Sequence, residues 1–159
     1  VMGLNQVMQP IAGYNFGAKL YGRVNKVLRL TIIYATAVTT FGFLVGMLVP
    51  DLVVGIFTSD AELTELSVTG LRITVMFFPI IGFQMVTSNF FQSIGMAGKA
   101  IFLSLTRQML ILLPCLLVLP QFFGVAGVWY SMPVSDLLAS LIALVMLVCQ
   151  FRKFRTSPL

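Results

Sequence analysis

Asp136 is the acid in this chain with the most unusual surroundings. It follows Val125 by about eleven residues inside an apolar stretch, which at about 1.5 Å per helical residue is near the middle of a bilayer. An ionised carboxylate at that depth costs several kcal/mol unless it is paired or hydrated. Such a group either serves the passage of a solute or, with Ser135 and Ser140 close by, ties helices together through hydrogen bonds. A second polar group is Gln84, Ser88 and Gln92, spaced i, i+4 and i+8 so that all three share one helix face, with Thr87, Asn89 and Ser93 widening the patch. That stripe must turn away from lipid, so it lines a water-filled cavity or bridges to another helix.

Other chemistry is poorly supplied. Histidine is absent, which removes the commonest zinc and iron ligand. Cys115 and Cys149 are isolated in apolar runs, without metal-ligand or disulfide-framework spacing, and read as packing residues. Asp60, Glu62 and Glu65 follow Ser59 in a capping-box pattern and suit the positive end of a helix dipole better than a catalytic pair. No nucleophile–base pair, phosphate loop or metal cluster is visible, so neither an enzyme nor a cofactor is expected, and no metal site is assigned.

The elements that must position these groups follow from composition. Of 159 residues, 58% are hydrophobic and 9% charged, and the mean hydropathy is +1.00. Soluble domains carry about 25% charged residues, so this surface cannot face water all round and must face a lipid bilayer. Four stretches meet the length of about 20 residues that a spanning helix needs: about 27–49, 71–93, 102–119 and 125–150. The long run before Ser135 is divided at Pro120, where Gln121, Phe122, Phe123 and Gly124 follow as a turn.

Charge placement fits four crossings. Lys19, Arg23, Lys26 and Arg29 precede the first span, and Asp51, Asp60, Glu62 and Glu65 follow it. Lys99 and Arg107 flank the entry to the third, and Arg152, Lys153 and Arg155 follow the fourth. This alternation puts both ends of the segment on the cytoplasmic side. The net charge of +5 is thus a topology signal and not a nucleic-acid surface. Val1–Ala18 lacks a signal-peptide core, and the chain reads as a piece of something longer.

Pro79, Pro114 and Pro133 fall inside three spans, where each removes a helical hydrogen bond and favours a kink. Two GxxxG matches occur: Gly42/Gly46 in the first span permits a close helix contact, and Gly13/Gly17 reads as a helix end. Nine methionines and fourteen phenylalanines read as lipid-facing and core residues before any binding wall.

Several motifs, in order, resemble the multidrug and toxic compound extrusion (MATE) transporters. Gln9-Pro10-Ile11-Ala12-Gly13-Tyr14-Asn15-Phe16-Gly17-Ala18-Lys19 resembles the segment closing the second helix of each lobe in that family. Ile56-Phe57-Thr58-Ser59-Asp60, Phe91 to Lys99, Gly124 to Tyr130, and Pro133-Val134-Ser135-Asp136 fit in the expected order. The resemblance covers nearly the whole chain.

It implies an all-α polytopic transmembrane bundle: four complete spans plus the end of a preceding helix, residues 1–159 being part of the C-terminal lobe of a twelve-helix, two-lobe transporter. The implied activity is sodium- or proton-coupled export of small organic cations or amphipathic drugs across a cytoplasmic (inner) membrane, with an N-terminal lobe as the missing partner. Asp136, Gln84, Ser88 and Gln92 would then be cavity-facing or helix-bridging groups. The sequence departs from members that carry a carboxylate on helix ten, roughly where Gln84-Met85 stand here, so no cation site is assigned and transport by the segment alone is not expected. Two rivals are a lipid-linked oligosaccharide flippase of the related superfamily, which should have a more cationic interior, and a non-transporting membrane subunit or scaffold.

Overall fold

The computed structural model describes residues 1–58 and 60–156. Among them every regular element is helical: α1 (Met2–Gly17), α2 (Tyr21–Leu48), α3 (Pro50–Gly55), α4 (Ala61–Val75), α5 (Phe78–Ser93), α6 (Ala97–Leu105), a π-helical segment (Thr106–Leu112), α7 (Leu113–Phe123) and α8 (Val125–Thr156). Three continuous rods, Tyr21–Leu48, Ala97–Phe123 and Val125–Phe154, are long and apolar enough to cross a bilayer. The pair α4–α5, taken together, is likewise long and apolar enough but is bent by 49° at its break. The chain is therefore an all-α membrane bundle.

Proline chemistry accounts for two irregularities. The Pro79 ring clashes with the carbonyl four residues back, that of Val75, and α4 ends at Val75 before α5 begins at Phe78. Pro114 stands in the same relation to Leu110, which lies within the wide π-helical turns. Pro133, expected to kink its span, instead sits in a helix that continues without a break from Val125 to Thr156.

One boundary falls where the capping pattern puts it, and one does not. The helix of the second crossing starts at Ala61, capped by Asp60, whose Oδ1 accepts from the Glu62 and Leu63 amides at 3.0 and 3.4 Å. Ser59, the expected capping residue, lies outside the described residues. The turn expected at Pro120 falls later, because α7 runs through Pro120 to Phe123. It is made by Gly124 alone, at φ 60° and ψ −139°, a backbone conformation open essentially to glycine. Just beyond, Gly127 approaches α7 so closely that a Cβ there would lie 2.4 Å from the Leu119 carbonyl oxygen.

Helix α5 runs through the middle of the bundle and packs against α1, α2, α6 and α8. Small residues permit these approaches. A Cβ on Gly82 would meet Thr39 Oγ1 at 2.7 Å, and one on Gly46 would meet Val75 at 3.1 Å. Gly13, read from sequence as part of a helix end, also marks a crossing, since its Cβ would lie 2.9 Å from the Ser93 carbonyl oxygen.

A dry apolar core fills one end of the bundle. Met8, Val24, Leu28, Phe90, Phe91, Leu103 and Leu147 belong to one buried cluster drawn from α1, α2, α5, α6 and α8. Around its rim, Phe16, Tyr21, Phe151 and Phe154 meet ring against ring, with centroids 5.0 Å apart for Tyr21 and Phe154. The Lys99 ammonium closes this end, donating to Gln150 Oε1 at 2.5 Å while lying 5.2 Å from the Phe91 ring centroid. Outward-facing Phe41, Leu117 and Val145 are strongly exposed, as lipid-facing positions should be.

Candidate functional site

Asp136 projects from α8 toward the π-helical segment, where it meets a cation. Arg107 Nε donates to Asp136 Oδ1 at 2.7 Å. The carboxylate side chain is only 7% exposed and the arginine 28%. Sequence reading placed Arg107 near a span end; it in fact lies ten residues beyond Ala97, about 15 Å along the helix. The rod of the third crossing begins at Ala97 and not near Phe102, and this shift carries Arg107 into the interior. A charge that would be costly alone at that depth is thereby paired with the opposite charge.

Local backbone chemistry steadies the pair. The wide turns of a π-helix loosen the regular hydrogen-bond ladder, and the Ser135 hydroxyl donates to the Arg107 carbonyl at 2.9 Å. One turn along α8, the Ser140 hydroxyl donates to the Asp136 carbonyl at 2.6 Å and reaches the Ile80 carbonyl of α5 at 3.5 Å. Ser135 and Ser140 thus tie the carboxylate-bearing helix to the π-helical segment and to α5.

Beside the pair is a cleft of about 230 Å³ between α5 and the Arg107-bearing rod, whose polar walls are Gln84, Ser88, Asn89, Ser104, Arg107 and Gln108. Gln84 is 4% exposed and makes no side-chain hydrogen bond among the described residues. Ser88 is fixed by the Ala100 carbonyl at 3.3 Å and the Ser104 hydroxyl at 3.2 Å. Asn89 donates to the Met85 carbonyl at 2.9 Å and accepts from Gln9 Nε2 of α1 at 3.2 Å.

The structure thus brings Gln84 and Ser88 into one cleft and sets Asp136 just behind it. Gln92 is not part of that grouping: it lies exposed at the far end of α5, because the stripe emerges from the helix contact there. Sequence reading missed Arg107, Ser104 and Gln108 as site residues. A lone arginine next to a basic loop gave no signal of depth, and a π-helical register is not visible as a hydrophobic period. No group of three or more acids or cysteines able to hold a metal ion occurs among the described residues.

Helices of spanning length, apolar outward-facing side chains and an ion pair between two of those helices define a polytopic integral membrane protein. A family model described as MatE matches residues 1–118, and the chain belongs to that family. The multidrug export protein MepA of Staphylococcus aureus (strain MSSA476) is 25% identical over 144 residues, covering 91% of this chain and 32% of that protein. A solved structure described as "protein A" superposes with a TM-score of 0.90 at 36% identity, over 98% of this chain and 35% of the other. The inward-facing conformation of a multidrug resistance MATE family transporter of the MOP superfamily gives a TM-score of 0.88 at 19% identity, over 97% and 36%. The chain therefore spans about a third of the length of the relatives it matches, and its family is one of transporters, not enzymes.

Proposed function

We propose that these residues form the closing part of the second lobe of a multidrug exporter, driven by exchange for sodium ions or protons and working in a cytoplasmic membrane. The Arg107–Asp136 pair, held at membrane depth beside an open polar cleft in a MatE-family bundle, carries this reading. Intramembrane ionisable groups that face a cavity are the usual marks of solute or ion pathways, and transporters of repeated architecture bind near the midplane at the repeat interface. In the proposed arrangement Lys19 with the basic first turns of α2, and the basic last turns of α8, face the cytoplasm, and Asp51, Asp60, Glu62 and Glu65 face outward. Small organic cations and amphipathic drugs are the proposed cargo.

Gln84 and Ser88 would border the solute path, Asp136 would bridge to Arg107 behind it, and Gln92 stands apart at the exposed end of α5. The Arg107 charge is cancelled by Asp136, so the cleft is close to neutral and does not offer the cationic interior that a flippase for a lipid-linked oligosaccharide would need. The test is efflux of a dye cation such as ethidium by the full-length protein in vesicles under an imposed sodium or proton gradient. Asp136→Asn and Gln84→Ala should each slow efflux at least fivefold; unchanged rates in both would remove these residues from the pathway.

A further inference from the structure

Resting on the exporter reading, we propose that the cleft between α5 and the Arg107-bearing rod is a subsite for a carboxylate carried by an otherwise cationic amphipathic compound. Its walls hold an excess of donors. Arg107 commits only Nε to Asp136, and its two terminal nitrogens make no hydrogen bond among the described residues. Gln84 lines the cleft with a carboxamide that makes no hydrogen bond among the described residues, and Gln108 adds a second amide. One acceptor of the wall, Asn89 Oδ1, is already engaged by Gln9, while the arginine adds donors and no acceptor.

A planar guanidinium edge beside amide donors is the arrangement that suits a carboxylate, since two parallel N–H···O bonds match its two oxygens. Asp136 already neutralises the guanidinium, so the preference rests on the fork geometry of the two unbonded terminal nitrogens and not on net charge. Asp136 bonds the Nε edge of the guanidinium and is not part of the cleft wall. The volume of about 230 Å³ equals that of about eight waters at about 30 Å³ each. It therefore admits an aryl carboxylate while the cationic remainder of the compound stays outside.

The experiment compares two dyes with the same xanthene scaffold, rhodamine 110 with a free carboxylate and rhodamine 123 as its methyl ester. Their binding to the detergent-solubilised full-length protein is read by fluorescence anisotropy. The expected result is five- to tenfold tighter binding of the acid, falling below twofold in Gln84→Leu and in Arg107→Lys, whose single ammonium lacks the fork. Equal affinity for acid and ester, or a preference that survives both variants, overturns the subsite. The acid–ester comparison on the unmutated protein stands even where a variant fails to fold. Dye efflux from vesicles separates the two readings: acid preference without efflux keeps the subsite and removes the exporter, and efflux of the ester without acid preference does the reverse.

Discussion

The two flanks of α5 solve opposite problems with one helix. Toward one end, Phe90 and Phe91 are fully buried among Met8, Val24, Leu28 and Leu103, and this region is held by shape alone. Half-way along, Gln84 and Ser88 face Ser104 and Arg107 across an open cleft, with Asp136 sealed behind. In lipid there is no hydrophobic drive to bring helices together, so the dry end relies on van der Waals contact and small-residue crossings. The polar flank relies on mutual neutralisation, where each group is tolerable only because the other is present. The dry end should absorb side-chain changes, and the polar flank should not.

The largest effect expected from that difference is at the ion pair. Asp136→Leu leaves the Arg107 cation buried without its partner, a loss of about 3–5 kcal/mol. The midpoint of thermal unfolding of the full-length protein should fall steeply. The double variant Asp136→Leu with Arg107→Leu should recover most of that loss, because no uncompensated charge remains. Failure of the double variant to recover would show that the pair is held by more than neutralisation.

Next in size is Gly124→Ala, which forces a Cβ into a glycine-only conformation at about 1–3 kcal/mol. The same measurement should show a smaller drop than at Asp136. Phe91→Met, a near volume-conserving change in the dry end, should cost less than about 1.5 kcal/mol. A cost as large as that at Asp136 would erase the contrast between the two flanks. Asp60→Ala, which removes the cap of α4, should cost about 1 kcal/mol. Faster hydrogen exchange confined to the first turn of that helix would show that the cap acts locally.

Much of this architecture is legible in the residues. Membrane class follows from too few charges to cover a water-facing surface, and three of the four expected spans have counterparts in continuous apolar helices, while the second is a bent pair. Asp136, Gln84 and Ser88 are conspicuous because polar groups in apolar stretches must be explained. Arg107 is different. Its depth depends on where its helix begins, and Gly95-Met96-Ala97-Gly98-Lys99 does not announce that start. The turn after the third crossing was misplaced for a related reason: Pro120 looks like a breaker, yet the helix passes through it and only Gly124 has the backbone freedom to reverse the chain. Gln92 shows the limit of periodicity, which assigns a residue to a face but not to the length over which a neighbour covers that face.

With Gly124 as the whole of their connection, α7 and α8 have no loop that would let them enter a membrane separately. The expected consequence for biosynthesis is that the rod Ala97–Phe123 and α8 pass into the bilayer as one helical hairpin. Arg107 and Asp136 lie on the two arms of that hairpin, and each alone would add about 2.5–3.5 kcal/mol to insertion at the helix centre. Delivered together, they enter as a neutral couple, so a one-residue turn becomes a device by which nascent chain smuggles two charges past the lipid barrier.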